Sequence, residues 1–267
     1  MPHIACGDST VRDFAIVTTT STPVNQPALT NTLIDLSVTV SERLPGVWPS
    51  HRPFAREVTK TRPPYFTEAL QIDEHTGTHF DAPAHFVEAL PDARSTYGDR
   101  VDLRQLCGTC VVVPVPSDAG SAEPGRSPEI TPQLIEAWEA AHGRLNPGEI
   151  VLLHSGWDRY YVEGPDGSRY VDNVLVSKDQ PGWPAPDVPA MELLHQRGIR
   201  CVGTDAPSMG SSHDGAPVHL WGLSRGMLYI EGLTNLDRLP ARGATFVFLP
   251  LKIDGSSGGP GRAGAWV

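Results

Sequence analysis

Cysteine is scarce. The four thiols, Cys6, Cys107, Cys110 and Cys201, are too few and too scattered to staple a chain of 267 residues, which excludes a disulfide framework and predicts reduced cysteines. Long apolar runs are missing as well, since none approaches the roughly 18 residues of a membrane span. The first 30 residues carry acids and polar threonines where a secretory leader needs a basic start and an apolar stretch. A cytoplasmic protein with no membrane segment is expected. Basic residues are in deficit, 21 against 31 acids for a net charge of −10, so no phosphate-neutralising face is expected and neither nucleic acid nor anionic membrane is a partner. No fixed period of about 20 to 50 residues recurs, which removes repeat architectures.

Glycine and proline are abundant, 26 of each, and with 39% hydrophobic residues they describe a folded, turn-rich chain with more β than α structure. Strand-like runs lie at Leu33 to Val38, Thr67 to Ile72, Thr109 to Val115, Ile150 to His154, Ile199 to Val202, Met227 to Ile230 and Ala244 to Pro250. Two helices are predicted. ITPQLIEAWEAAHG has Thr131 as N-cap, Pro132 in the first helical position and Gly143 as its stop, and PDVPAMELLHQRG ends on Gly198 in the same way. Gly/Pro-rich loops at 115–129, 163–187 and 255–262 are long enough to be lids or partner contacts. With no linker-like shift in composition, residues 31–267 are expected to form one α/β domain with a mixed, barrel-like β-sheet flanked by a few helices. Residues 1–30, ending in the Thr-rich stretch TTTSTPVNQPALT, read as a loosely ordered arm.

The densest chemical signal is the run from Asp73 to His85, DEHTGTHFDAPAH, which holds three of the ten histidines. A helix would suit a histidine pair four residues apart, but Gly77 lies between two β-branched threonines and Pro83 follows, so the extended reading is preferred. In a strand, side chains at even offsets share a face. His75, His79, Asp81 and His85 then all point into one cavity. Two imidazoles and a carboxylate suit zinc, manganese or non-haem iron with positions left open for water and substrate, and a turn at Pro83 would set His85 beside the ion rather than on it. His3, His51, His142 and His195 read as background. Glu231 closes the apolar strand Met227 to Ile230, where an acid is either solvated at the strand end or paired with a ligand.

Other patterns carry less. Gly255-Ser256-Ser257-Gly258-Gly259 satisfies GxSxG, yet no Asp or His follows to complete a nucleophile-elbow triad. Cys107-Gly108-Thr109-Cys110 is a single CxxC and reads as packed strand thiols. Among the aromatics, Phe66 and Trp157 are the first candidates to stack on a planar substrate.

The run HTGTHFDAPAH resembles the HxGTHxDxPxH motif of the cyclase superfamily of metal-dependent hydrolases, which includes bacterial kynurenine formamidases and isatin hydrolases. The likeness continues through LIDLSVTVSE, EIVLLHSGWD, PVHLWGLSRGMLYIEGLTNLDRLP and PLKIDGSSGGPGR, roughly residues 33 to 262. The resemblance implies a swivelling β/β/α fold, a hydrolase that cleaves a cyclic or aryl amide such as isatin or N-formylkynurenine, and a homodimer or homotetramer whose 155–190 loops reach a neighbour's site. It makes His75, His79 and Asp81 metal ligands and His85 the catalytic histidine. His219 and Glu231, twelve residues apart as in the formamidases, would complete a two-ion site, with Asp205 and His213 as further candidates. Isatin hydrolases are closer in length but lack the acid at the position of Glu231 and hold one manganese. The expected cofactor is therefore zinc or manganese, as one ion or two. A polyketide-type cyclase or dehydratase with the same metal site, or a non-catalytic metal-binding protein, are the alternative readings.

Overall fold

The structure, a computed structural model, describes residues 32–45, 48–61, 64–87, 95–116 and 122–267. The arm expected at 1–30 lies outside them, as does Cys6. Among the described residues there are twelve strands: β1 Leu33–Asp35, β2 Ala55–Lys60, β3 Thr67–Gln71, β4 His79–Asp81, β5 Cys107–Pro114, β6 Glu129–Ile130, β7 Ile150–His154, β8 Ala185–Pro186, β9 Cys201–Thr204, β10 Leu228–Glu231, β11 Arg242–Pro250 and β12 Gly258–Trp266. Five α-helices accompany them: α1 Ala84–Val87, α2 Pro132–His142, α3 Asp172–Leu175, α4 Val188–Gln196 and α5 Ala216–Leu223.

The main sheet runs in the order β1-β12-β11-β5-β7-β9-β10-β4, and β4 also pairs with β12, which closes a mixed seven-stranded barrel with β1 attached outside it. The strands from β5 through β7 and β9 to β10 are parallel, and the remaining pairs are antiparallel. Closure leaves no unpaired edge between β4 and β12.

Where α2 and α4 cover the barrel wall both faces of β5 are buried, which explains why it reads as a continuous apolar run. Along β5, Cys110 and Val112 enter the barrel core with Phe80, Leu152, Phe246 and Phe248. The alternate residues Val111 and Val113 pack outward against Ile135 and Trp138 of α2 and Met191 and Leu194 of α4. Both predicted helices form, α2 after Thr131 and α4 after Asp187, whose side chain accepts from the Ala190 N–H. A third cluster joins Trp157, Tyr170, Val171 and Trp183, with Trp48 and Tyr161 packed against it. The 155–190 segment thus folds onto its own chain.

All seven expected strands are present within a few residues. The sequence reading missed β2, the two-residue strands β6 and β8, the helices α1, α3 and α5, and above all β12, whose GGPGRAGAW contains the glycines and proline that ordinarily mark loops. The hairpin β2–β3 stands apart from the barrel sheet with most of its residues exposed.

Candidate metal centre

The motif does not lie on one strand. Only His79–Asp81 is extended, while His75 precedes it in a turn and His85 sits in the short helix α1. The even-offset argument therefore holds for His79 and Asp81 alone. Gly77 brings His75 back toward them: its φ of 65° is a left-handed turn, and a Cβ there would meet Val40 at 2.9 Å.

Within β4, Phe80 points into the barrel core, so His79 and Asp81 point out of it. Glu231 of β10 stands directly opposite His79 in the antiparallel ladder, and Tyr229 opposite Asp81. Helix α5 covers this face and contributes His219, while the Tyr229 hydroxyl donates to the Val218 carbonyl and fixes the helix to the strand. Helix α1 packs on α5 and brings His85 to the same place. Its ring centroid is 3.9 Å from that of His75 and 6.2 Å from that of His219.

Proton bookkeeping shows what the cluster is built for. His79 Nδ1 lies 2.9 Å from the Gly77 carbonyl and His219 Nδ1 lies 2.8 Å from the Gly215 carbonyl. A carbonyl only accepts, so in each neutral ring the proton sits on Nδ1 and Nε2 is left with a bare lone pair. These bare nitrogens face acids. His79 Nε2 is 3.3 Å from Glu231 Oε2 and 3.7 Å from Asp81 Oδ1, while His219 Nε2 is 3.3 Å from Glu231 Oε1 and 3.5 Å from Asp81 Oδ2. His75 Nδ1 lies 2.8 Å from Asp81 Oδ1. Lone pairs from two rings and two carboxylates converge beside His75, and Asp81 Oδ2 is buried without a hydrogen-bond partner. Two carboxylates at 1% and 4% exposure require positive charge between these groups.

The electrostatics state the same demand. Burial opposes charging of His219, yet the facing carboxylates of Asp81 and Glu231 raise its pKa to about 10. Burial likewise disfavours ionised Asp81, but the surrounding imidazoles hold it well below the ordinary carboxylate range. The residues fit a divalent cation in two groups, His75 with His79 and Asp81, and Asp81 with His219 and Glu231, the ligand atoms of each lying within 4.8 Å of one another. His85 belongs to neither group. Burial pushes its pKa down to about 4, which leaves it neutral near pH 7.

A cavity of about 370 Å³ opens above these groups, within the size range of small-molecule sites. Its walls include Trp48, Phe86, Tyr161 and Tyr170, with His51 and His213 among the polar lining. Neither Phe66 nor Trp157 lines it. Phe66 is exposed next to the β2–β3 hairpin, and Trp157 is buried in the third cluster with its indole N–H donated to the Tyr170 carbonyl. Asp205 is also outside the cavity lining: it accepts from Ser155 N, Ser155 Oγ and Gly156 N, and so anchors the loop after β7. His213 does line the cavity, its Nδ1 accepting from the Ser127 N–H at 3.2 Å. His51, read from sequence as background, lies in the wall with its ring 6.2 Å from that of His75. No local pattern around Trp48 or His51 announces this, because tertiary packing of the loop between β1 and β2 places them there.

Comparison with known proteins identifies the family. Residues 34–211 match the family model described as "Putative cyclase". The chain belongs to that family. It is 34% identical to the isatin hydrolase of Roseibium aggregatum over 205 residues, covering 74% of this chain and 73% of that protein. It is 28% identical to the kynurenine formamidase of Erythrobacter litoralis over 229 residues, covering 84% and 89% respectively. Among solved structures, isatin hydrolase A from Labrenzia aggregata bound to benzyl benzoate superposes with a TM-score of 0.75 at 29% identity, covering 89% of this chain and 94% of that one.

Proposed function

We propose that this protein is a metal-dependent hydrolase that cleaves the amide bond of a cyclic or aryl amide, the isatin or N-formylkynurenine type of substrate. The observation that carries the reading is the convergence of bare imidazole and carboxylate lone pairs at the floor of an aromatic-walled cavity, with a neutral histidine outside the donor set. The names of the family relatives support the same class of substrate.

His75, His79 and Asp81 would hold one divalent ion, and Asp81, His219 and Glu231 would hold a second, Asp81 belonging to both groups. Zinc and manganese both suit imidazole and carboxylate donors. A cation bound there would supply a water of near-neutral pKa and a Lewis acid for the amide carbonyl. His85, neutral and beside His75, accepts the proton of the attacking water and returns it to the leaving nitrogen. Trp48, Phe86, Tyr161 and Tyr170 enclose the substrate ring and exclude water from it.

The protein works in the cytoplasm as a homodimer or homotetramer, and the exposed Val58, Phe66 and Leu70 at the β2–β3 hairpin are apolar surface for that association. Light scattering tests the assembly.

The activity is tested with purified protein, loaded with Mn²⁺ or Zn²⁺, on isatin, N-formylkynurenine and polyketide mimics, with products weighed by mass spectrometry. Ring opening adds one water to isatin, and deformylation releases formate. A product that has lost water would place the protein with dehydrative cyclases instead. Stoichiometric metal binding with no turnover on the amides would leave only a binding protein.

A further inference from the structure

We propose that Glu74 and Ser257 are positioning residues, a relay that holds the proton of His75 on Nε2 and so presents Nδ1 bare toward the cation site. The inference rests on the reading of His75 as a metal ligand.

Ser257 Oγ lies 2.7 Å from Glu74 Oε2 and 3.0 Å from His75 Nε2. A carboxylate only accepts, so the serine proton goes to Glu74 and the serine oxygen has only lone pairs left for His75. His75 must then donate from Nε2. Its Nδ1, 2.8 Å from Asp81 Oδ1, is bare in the neutral ring, and two acceptors at that separation repel unless positive charge lies between them. The relay thus selects the tautomer in which His75 and Asp81 can share one ion.

The backbone holds the relay from both sides. Ser257 N–H donates to Glu74 Oε2 at 2.9 Å, and the Ser257 carbonyl accepts from the N–H of Ala82, the residue after Asp81, at 3.0 Å. The next residue, Gly258, pairs with Asp81 where β12 closes the barrel. A Cβ at Gly258 would meet the Phe80 carbonyl oxygen at 2.2 Å and His75 Cε1 at 2.8 Å, so only glycine lets the closing strand pass beneath the imidazole. On the other side, His75 N–H donates to Asp73 Oδ1 at 3.0 Å. The GSSGG segment, which matches a serine-nucleophile pattern in form, has another task here. Its Ser257 gives its proton to a carboxylate, and the histidine beside it faces the metal site.

The relay is tested on the metal-free wild type, Ser257→Ala, Ser257→Thr and Glu74→Gln. Long-range ¹H–¹⁵N spectra of the histidine rings, recorded across a pH series, report which nitrogen is protonated. Chelator competition with Mn²⁺ and Zn²⁺ reports affinity. The wild type should show His75 as the Nε2–H tautomer. Ser257→Ala should lose that preference and bind either ion about 10- to 100-fold more weakly, with the thermal midpoint of the metal-free protein little changed. Glu74→Gln should weaken binding in the same direction, and Ser257→Thr, which keeps the hydroxyl, should restore both readouts. An alanine variant that keeps the wild-type tautomer and affinity overturns the relay. A wild type that binds neither ion overturns the metal reading instead, and the ring spectra then judge the relay alone.

Discussion

Asp81 Oδ2 is buried without a hydrogen-bond partner, and His219 Nε2 lies 3.5 Å from it on the facing helix. This pair links the two halves of the donor set, so removing the charge of Asp81 should empty both. Asp81→Asn is expected to bind neither Mn²⁺ nor Zn²⁺ in elemental analysis. A ligand that binds only the folded state at a hundred times its Kd stabilises it by about 2.7 kcal/mol. Wild-type thermal unfolding should therefore shift upward with added metal and fall back with chelator, and that of the asparagine variant should not respond.

Glu231 stands opposite His79 in the ladder and belongs to the second donor group only. Glu231→Gln should lower the bound metal from two ions per chain to one, read by titration under a chelator buffer. An unchanged stoichiometry would assign Glu231 to orienting His219 rather than to holding an ion.

His85 separates binding from chemistry. It is absent from both donor groups, while its ring lies against that of His75. His85→Ala should retain full metal content and lose about 10²- to 10⁴-fold in kcat, the usual range for a positioned proton-transfer group. Loss of metal in this variant would make it a ligand.

Asp205 tests the scaffold rather than the site. Burial raises its carboxyl to about 6 from an ordinary 3.8, the donors on Ser155 opposing and the charge of Asp158 adding to the rise. Between those values the folded state holds a proton that the unfolded state has released, so stability from this group is greatest in acid and falls as pH rises toward 6. Asp205→Asn cannot titrate. The stability of the wild type relative to this variant should decline from about pH 4 to pH 6 and level off above that, measured by urea unfolding across the range.

Much of this was readable in the chain itself. The strands β5, β7, β9 and β10 are runs of apolar and β-branched residues because both of their faces are buried, β11 alternates buried Ala244, Phe246 and Phe248 with exposed Thr245 and Leu249, and the caps of α2 and α4 mark where those helices begin. The motif from His75 to His85 stood out because so many ligand-type side chains sit close together. What escaped is non-local. Strand β12 hides in glycines that serve close approach rather than turns, Ser257 meets His75 across 182 residues, and Trp48 and His51 reach the cavity from a loop with no pattern of its own. Phe66 and Trp157 stand near the motifs in sequence, yet Phe66 is exposed beside the β2–β3 hairpin and Trp157 packs in the third cluster, because nearness along the chain does not decide which aromatics line a pocket.

The three-residue strand that carries His79 and Asp81 has no independent existence, being held on one edge by residues 229–231 and on the other by 258–260. The Thr78 hydroxyl beside it donates to the Gly232 carbonyl across 154 residues of chain. Contacts this distant along the chain each close a large loop, at a cost in chain entropy. The donor cluster exists only where those loops are closed, so an ion bound there would hold the barrel shut, and its loss should be read in faster unfolding.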